Sequence, residues 1–197
     1  MSALKNTDPV YTSKYTYEEY RLVPENGVKL ELIDGEIRAM ASPTFRHQEI
    51  VTILSQKFRN FLGKGSKCRV ATDVDTRLNF DKGDDTAVRP DFLAVCDPSK
   101  LKDDTVKGAP DLVVEIWSPS NTHKDRMDKF KKYCDAGVRE IWFINPEAGI
   151  LEAYRLDDAT GKHIPFIYSK DDTIPVGIFS GLSIAGEDIF FNAEEEL

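Results

Sequence analysis

The 197-residue sequence lacks the features that mark secreted, zinc-binding and membrane-spanning proteins. Its three cysteines, Cys68, Cys96 and Cys134, lie far apart and form no Cys-x-x-Cys pair, which supports neither a disulfide framework nor a zinc site. No stretch approaches the roughly 18 apolar residues of a transmembrane helix, and the N-terminus has no basic segment followed by an apolar run. We therefore expect buried free thiols, a reducing cytoplasmic location and no membrane association.

Several common catalytic motifs are also missing. The chain has no Gly-x-x-x-x-Gly-Lys-Ser/Thr, Gly-x-Gly-x-x-Gly, His-Glu-x-x-His or Gly-x-Ser-x-Gly sequence, the motifs of P-loop NTPases, dinucleotide-binding folds, zincins and α/β-hydrolases. Positive charge is scarce as well, because the net charge is -8. A nucleic-acid ligand would need a local basic face. The sequence offers one such face, formed by His123, Lys124, Arg126, Lys129, Lys131 and Lys132.

The chain does contain enough apolar sequence for one core. Hydrophobic residues make up 41%, and the 10 prolines and 12 glycines are scattered without repeats or low-complexity tracts. A single domain is the expectation for this length. We expect residues 1–15 to be a flexible N-terminus, 16–192 to form the domain and 193–197 to be a solvated acidic tail.

The order of elements predicts an α/β fold. Helices inserted between buried strands indicate a mixed central sheet flanked by helices, preceded by a hairpin and followed by a β-rich C-terminus. Capping, turn and periodicity patterns predict helices at 17–23, from Ser42-Pro43 to Gly63 and at 125–136, a hairpin at 28–40, and strands at 69–78, 88–96, 112–117, 139–145 and 149–156.

Two of these strands carry an acid among apolar residues. An unpaired carboxylate in a buried strand costs several kcal/mol, so Asp91 and Glu115 should be paired, neutral or metal-bound. Two carboxylates on neighbouring strands would form an oxygen-rich site for Mg²⁺ or Mn²⁺. The structural alternatives are a strand-end cap for Asp91 and a salt bridge for Glu115. Asp111 lies roughly 13 Å from Glu115 along the strand, too far to share one ion.

A lysine follows the second acid. Four-residue spacing places Asp125, Lys129 and Tyr133 on one helix face, from which the Lys129 ammonium would reach the acids. The alternative is a solvated lysine paired with Asp125. His47 and Glu31 are further candidates, as a phosphate-positioning group or base and as an extra metal or water ligand. Each also has a purely structural alternative. This set of residues suits phosphodiester hydrolysis, with a metal activating water and the lysine offsetting charge.

Distinctive segments occur at Leu30–Ile37, Ser42–Thr44 with His47 downstream, Arg89–Asp91, Pro110–Ser120, Lys129 with Tyr133, and Gly137–Pro146. Together they resemble the Uma2 family (DUF820) of predicted endonucleases, in the PD-(D/E)XK restriction-endonuclease-like superfamily. The resemblance implies a restriction-endonuclease-like α/β core and a Mg²⁺-dependent site in which Asp91 is the first acid and Glu115 the acid of the (D/E)XK element. Trp117 occupies the position of the strand lysine, and Lys129 of the next helix is its implied substitute. Glu31 and His47 match recurrent family positions.

These observations lead to one main hypothesis and two alternatives. The main hypothesis is a divalent-metal-dependent endonuclease acting on nucleic acid, DNA in the first instance, as a monomer or a homodimer. The first alternative is a catalytically inactive nuclease-fold module that binds DNA or a protein partner without metal. The second is a metal-dependent hydrolase of a smaller phosphorylated substrate, which an acidic surface tolerates better than long DNA.

Overall fold

The computed structural model describes residues 14–102, 104–118 and 122–191. Within them lie four α-helices: α1 (Tyr17–Tyr20), α2 (Phe45–Leu62), α3 (His123–Ala136) and α4 (Gly186–Ile189), with a 3-10 turn at Pro98–Lys100. The strands are β1 (Leu30–Ile33), β2 (Glu36–Ala39), β3 (Arg69–Ala71), β4 (Asp75–Arg77), β5 (Ala87–Val88), β6 (Phe92–Val95), β7 (Leu101–Lys102), β8 (Thr105–Lys107), β9 (Leu112–Ile116), β10 (Glu140–Asn145), β11 (Ile150–Asp157), β12 (Lys162–Tyr168), β13 (Thr173–Pro175) and β14 (Ser183–Ala185).

Two of the expected regions fall largely outside this part of the chain. The acidic tail at 193–197 lies outside the described residues, as do the first thirteen residues of the expected flexible N-terminus. Tyr15, the last residue of that expected N-terminus, donates its backbone N–H to the Gly35 carbonyl at 2.9 Å. None of the helices in the described residues combines the length and the apolar character that crossing a bilayer requires.

The central sheet is mixed, as predicted. Its strand order is β12-β11-β10-β9-β6-β3. Strands β9 and β10 are parallel and joined through α3, whereas the other neighbours are antiparallel. The predicted strand-helix-strand unit is therefore present, and the β-rich C-terminus supplies one edge of the sheet.

The two long helices cover opposite faces of this sheet. Val114 and Trp142 share a buried cluster with Phe58 of α2. Val113, the neighbouring residue in β9, shares the other cluster with Tyr133 of α3. Since side chains alternate along a strand, Glu115 projects on the same side as Val113, toward α3.

A second sheet, with strand order β2-β1-β5-β4-β8-β7, contains the predicted hairpin. Asp34 and Gly35 both have positive φ, 54° and 77°, which is the backbone of a two-residue Asp-Gly turn. Leu32 packs with the tyrosines of α1, whereas Ile33 belongs to the cluster beneath α3. Glu31 shares the face of Ile33 and is therefore directed toward α3.

Two predicted strands are each divided between the two sheets. The predicted strand at 69–78 is β3 and β4, and the predicted strand at 88–96 is β5 and β6. Asp73 has a φ of 53°, which ends regular pairing, and Pro90 has no N–H for the ladder. The Asp73 N–H donates to the Pro90 carbonyl at 3.1 Å, so both segments leave the central sheet at the same level.

The helix ends follow local capping chemistry, with one correction. Thr16 and Glu19 form the predicted capping box, although α1 is shorter than expected. Helix α2 begins after Thr44, whose hydroxyl accepts the His47 N–H at 3.2 Å, and not at Ser42. Gly63 and Gly137 follow the ends of α2 and α3 as predicted.

The expectation of three free thiols is wrong. Cys68 and Cys96 form a disulfide, and Cys134 is half-buried and free. Arg69 pairs with Val95 in the antiparallel β3–β6 ladder, which brings the two flanking cysteines opposite each other. Their separation of 28 residues hides this proximity in the sequence. The expected reducing location rested on unpaired thiols and loses that support.

Candidate active site

Asp91 and Glu115 lie opposite each other at one end of the β6–β9 pair. Phe92 pairs with Val114 in this antiparallel ladder, so Asp91, immediately before β6, is in register with Glu115. The Ile116 N–H donates to Asp91 Oδ2 at 2.7 Å and holds that carboxylate beside β9. Directly opposed residues have Cβ atoms roughly 4.5–5.5 Å apart. The two carboxylates are therefore close enough to share one ligand.

Helix α3 places two side chains on Glu115. The Lys129 ammonium lies 3.1 Å from Glu115 Oε2 and 3.3 Å from Oε1. Tyr133, one helical turn further along, donates its hydroxyl to Glu115 Oε1. Both contacts follow from the four-residue spacing that stacks these side chains on one helix face.

Glu31 and His47 complete the cluster from two other elements. Glu31 Oε2 in β1 lies 3.0 Å from the Lys129 ammonium, and His47 Nε2 in α2 lies 3.1 Å from Asp91 Oδ1. Apart from the Lys129 contact, Glu31 Oε2 is buried without a hydrogen-bond donor among the described residues, and His47 Nδ1 is likewise buried without a partner there. All five candidate residues thus converge in one place.

Burial and charge determine the protonation of the cluster. Burial raises the pKa of Glu115 from 4.5 to about 7; the Lys129 ammonium opposes this rise, and the Asp91 and Glu31 carboxylates add to it. Burial lowers the pKa of Lys129, but the surrounding carboxylates outweigh it and raise that pKa above its ordinary value. Burial also raises the pKa of Tyr133 well above its ordinary value. Lys129 is therefore a permanent cation, and Glu115 changes charge near neutral pH.

The cluster forms part of the wall of an open pocket of about 470 Å³. The cationic side chains around it are already paired: Lys29 with Asp73, Arg38 with Asp128 at 2.9 Å, and Lys129 with its two carboxylates. Without a bound cation, the pocket has no excess positive charge to attract a phosphate. Its charged lining residues are Lys29, Glu31, Arg38, Asp73, Asp91, Glu115, Asp125, Arg126 and Lys129.

The chain matches a known protein family. Residues 17–187 match the family model Uma2, described as "Putative restriction endonuclease". The chain belongs to the Uma2 family. An uncharacterized protein of Synechocystis sp. is 31% identical over 144 residues, which are 73% of this chain and 68% of that protein.

A solved structure shows that the fold is shared. The crystal structure of a "putative nuclease belonging to DUF820" from Anabaena variabilis has a TM-score of 0.74 and 20% sequence identity to this chain. The match covers 89% of this chain and 97% of that one. The predicted restriction-endonuclease-like α/β core and the resemblance to Uma2 are confirmed.

The carboxylates of Asp91 and Glu115 are the kind of donor set that a hard divalent cation takes when few protein ligands hold it. Within residues 14–102, 104–118 and 122–191, no three His, Cys, Asp or Glu side chains form a group that would hold a metal ion. Mg²⁺ commonly binds through one or two carboxylates, with waters and substrate phosphates completing its shell. The opposed carboxylates of Asp91 and Glu115 match that donor set. His47 Nε2, 3.1 Å from Asp91 Oδ1, adds a polar contact beside this pair.

Three of the five lysine and arginine side chains in the predicted basic face of this Uma2 chain are ion-paired. Arg126 is paired with Glu152, Lys132 with Asp34, and Lys129 with the site carboxylates. The idea that Lys129 is solvated and paired with Asp125 is wrong, because the Asp125 carboxylate caps α3 by accepting from the Thr122 hydroxyl at 2.6 Å. The Glu115 salt bridge does exist, but its partner is the lysine of the candidate site.

Sequence reasoning overlooked three contributors to the site. The sequence predicts Tyr133 on the Lys129 face, and its four-residue offset from Lys129 is the signal for its contact with the same carboxylate. The Ile116 N–H, which binds Asp91, has no side-chain pattern to reveal it. Arg126 was counted as part of a basic face, whereas its guanidinium lies 5.3 Å from the Trp117 ring centroid. Asp111, the competing acid, instead binds the Cys96 N–H at 2.7 Å.

Proposed function

We propose that this Uma2 protein is a divalent-metal-dependent endonuclease that hydrolyses phosphodiester bonds of nucleic acid, with DNA as the expected substrate. The observation that carries the proposal is the opposition of Asp91 and Glu115 beneath the Lys129 ammonium, 3.1 Å from Glu115, at an open pocket.

Asp91 and Glu115 would hold Mg²⁺ or Mn²⁺. When bound, such an ion polarises a phosphate oxygen and lowers the pKa of its water. The Ile116 N–H and His47 fix the Asp91 carboxylate, and the Tyr133 hydroxyl fixes Glu115. These contacts preorganise the carboxylates before substrate arrives.

Lys129 would offset the negative charge that develops on the phosphate. Its pKa is raised above the ordinary value, so the ammonium keeps its proton and acts as a charge and hydrogen-bond donor, not as a general base. Glu31 holds the ammonium from the opposite side at 3.0 Å. Two carboxylates, those of Glu31 and Glu115, thus hold one lysine at the pocket.

Calorimetric titration with Mn²⁺ tests the metal site. We expect wild-type protein to bind Mn²⁺, and we expect Asp91→Ala and Glu115→Ala to abolish binding because each removes half of the protein ligands. Wild-type metal-dependent cleavage by Asp91→Ala would contradict the assignment. Nucleic-acid binding that survives Glu115→Ala and needs no metal would instead favour the inactive module.

Plasmid cleavage with Mg²⁺ tests the lysine. We expect Lys129→Met to slow cleavage by roughly 10²–10³-fold, the usual effect of removing one transition-state donor. Lys162→Met is the control, because Lys162 is exposed on β12 and does not line the pocket. Equal rates for the two variants would exclude a catalytic role for Lys129.

A further inference from the structure

A small aromatic cavity continues from the candidate active site. It has a volume of about 120 Å³, and its walls include Trp117, Phe143, Arg126, Asn145 and Glu152. The first three of these residues also line the larger pocket, so the two spaces share a wall. Trp117 follows Glu115 by two residues, roughly 6.6 Å along an extended chain. The cavity is therefore directly adjacent to the carboxylate pair.

The shared wall is flat, aromatic and held in place. The Arg126 guanidinium lies 5.3 Å from the Trp117 ring centroid and 4.9 Å from that of Phe143. Arg126 is also ion-paired with Glu152, and it lies 3.3 Å from the Tyr154 hydroxyl. The pairing neutralises its charge, so this wall is suited to an uncharged π-face and less suited to a phosphate.

A hydrogen-bonding group lies at another wall of the cavity. Asn145 Oδ1 accepts the Ala148 N–H at 3.0 Å, which fixes the orientation of the amide. The amide keeps its Nδ2 hydrogens as donors and a second Oδ1 lone pair as an acceptor. An aromatic wall combined with one oriented amide is the chemistry that recognises a nucleobase by stacking and by its polar edge.

We infer that this cavity binds the base of a nucleotide next to the bond that is cut, and that this base is unpaired. In a duplex the faces of each base are covered by its neighbours, so a base must be splayed out of the stack to occupy such a cavity. Trp117 and Arg126 are then specificity-determining residues that select single-stranded or locally opened substrate. The inference rests on the proposed nuclease function, because it assigns the bound base to the substrate of a nuclease. Base binding itself is measurable without cleavage.

Tryptophan fluorescence provides a direct readout. The chain has 2 tryptophans, and Trp142 is fully buried with its indole N–H bonded to Glu140 at 2.9 Å. Trp117, half-buried at the cavity, is therefore the fluorophore that a bound base would quench. The probe is single-stranded DNA of about eight nucleotides, within the usual range of single-strand sites, compared with its duplex. Ca²⁺ replaces Mg²⁺ to suppress cleavage.

We expect the single strand to quench the fluorescence and the duplex to quench it much less. The affinities of the variants are measured by the fluorescence anisotropy of a dye-labelled strand, and Trp117→Ala should weaken single-strand binding roughly 5- to 160-fold, the equivalent of about 1–3 kcal/mol for one stacked base. Trp117→Phe should retain most of the affinity, because an aromatic face remains, but should show no quenching. Phe166→Ala is the control, since it truncates an exposed aromatic side chain on β12 outside the cavity.

Two results would overturn the inference: equal quenching by duplex and single strand, or wild-type affinity in Trp117→Ala. Thermal unfolding verifies that Trp117→Ala folds. If it does not, Trp117→Leu, which also removes the aromatic face, replaces it in the affinity measurement. Quenching by a protein that neither binds Mn²⁺ nor cleaves would refute the proposed function alone. Metal-dependent cleavage combined with unchanged binding by Trp117→Ala would refute the base cavity alone.

Discussion

Replacing Glu115 by glutamine should remove a pH dependence of folding stability that the wild-type protein shows between about pH 4.5 and 7. The Glu115 pKa is about 7 in the folded chain, against an ordinary value of 4.5. Within that window the folded state holds a proton that the unfolded state has released, so the free energy of unfolding falls as the pH rises. At 1.36 kcal/mol per pKa unit, the fall amounts to about 3 kcal/mol once Glu115 is ionised.

Urea denaturation at several pH values, in the presence of a metal chelator, measures the pH-dependent contribution of Glu115 to the free energy of unfolding. We expect wild-type stability to fall by about 3 kcal/mol between about pH 5 and pH 8, or roughly 6–12 °C in Tm for a chain of this size. Asp75, whose pKa is also raised by burial, is common to both proteins, so the difference between the two curves isolates Glu115. Parallel curves for wild type and Glu115→Gln would refute the assignment of a raised pKa to this residue.

Two further predictions concern stability away from the candidate site. Glu140→Ala should lower the free energy of unfolding in urea by about 3–5 kcal/mol, because it leaves Arg155, the Trp142 indole and the Ile178 N–H without their buried acceptor. Mn²⁺ binding by the folded fraction should be unchanged. A loss of stability below about 1 kcal/mol would contradict this account. Reducing the Cys68–Cys96 disulfide, which joins residues 28 apart in the sequence, should lower the free energy of unfolding by about 3–4 kcal/mol. Cys134→Ser is the control, because it keeps this disulfide. Equal stability under oxidising and reducing conditions would show that the bond contributes nothing.

The buried acids show how far sequence reasoning extends. The criterion that selected Glu115, an acid within an apolar strand, applies equally to Glu140, which is fully buried in β10. The structure separates the two residues. Glu140 is held by three donors within the core, whereas Glu115 lies at an open pocket beside a second carboxylate. Whether a buried acid is structural depends on partners that are distant in sequence, and no local pattern encodes them.

Long-range pairing was the least predictable property. The Cys68–Cys96 disulfide and the division of two predicted strands between two sheets both depend on which segments meet across the fold. Pro90 and Asp73 are visible in the sequence, but their backbone hydrogen bond joins two segments whose contact is determined by the packing of both sheets. Local propensity contains no information about that contact.

The sequence by itself determined the local elements and the kind of fold. Caps and turns act over a few consecutive residues, so the sequence alone predicts them. The examples are the Thr16–Glu19 capping box, the Asp34-Gly35 turn and the helix end at Gly137. Only the tertiary structure decided which side chains meet. It brought Asp91, Glu115, Lys129, Glu31 and His47 together from five elements or their ends, and their catalytic roles remain predictions. The physical reason is that burial, ion pairing and the resulting pKa values depend on distances in space, and separation along the chain does not determine those distances.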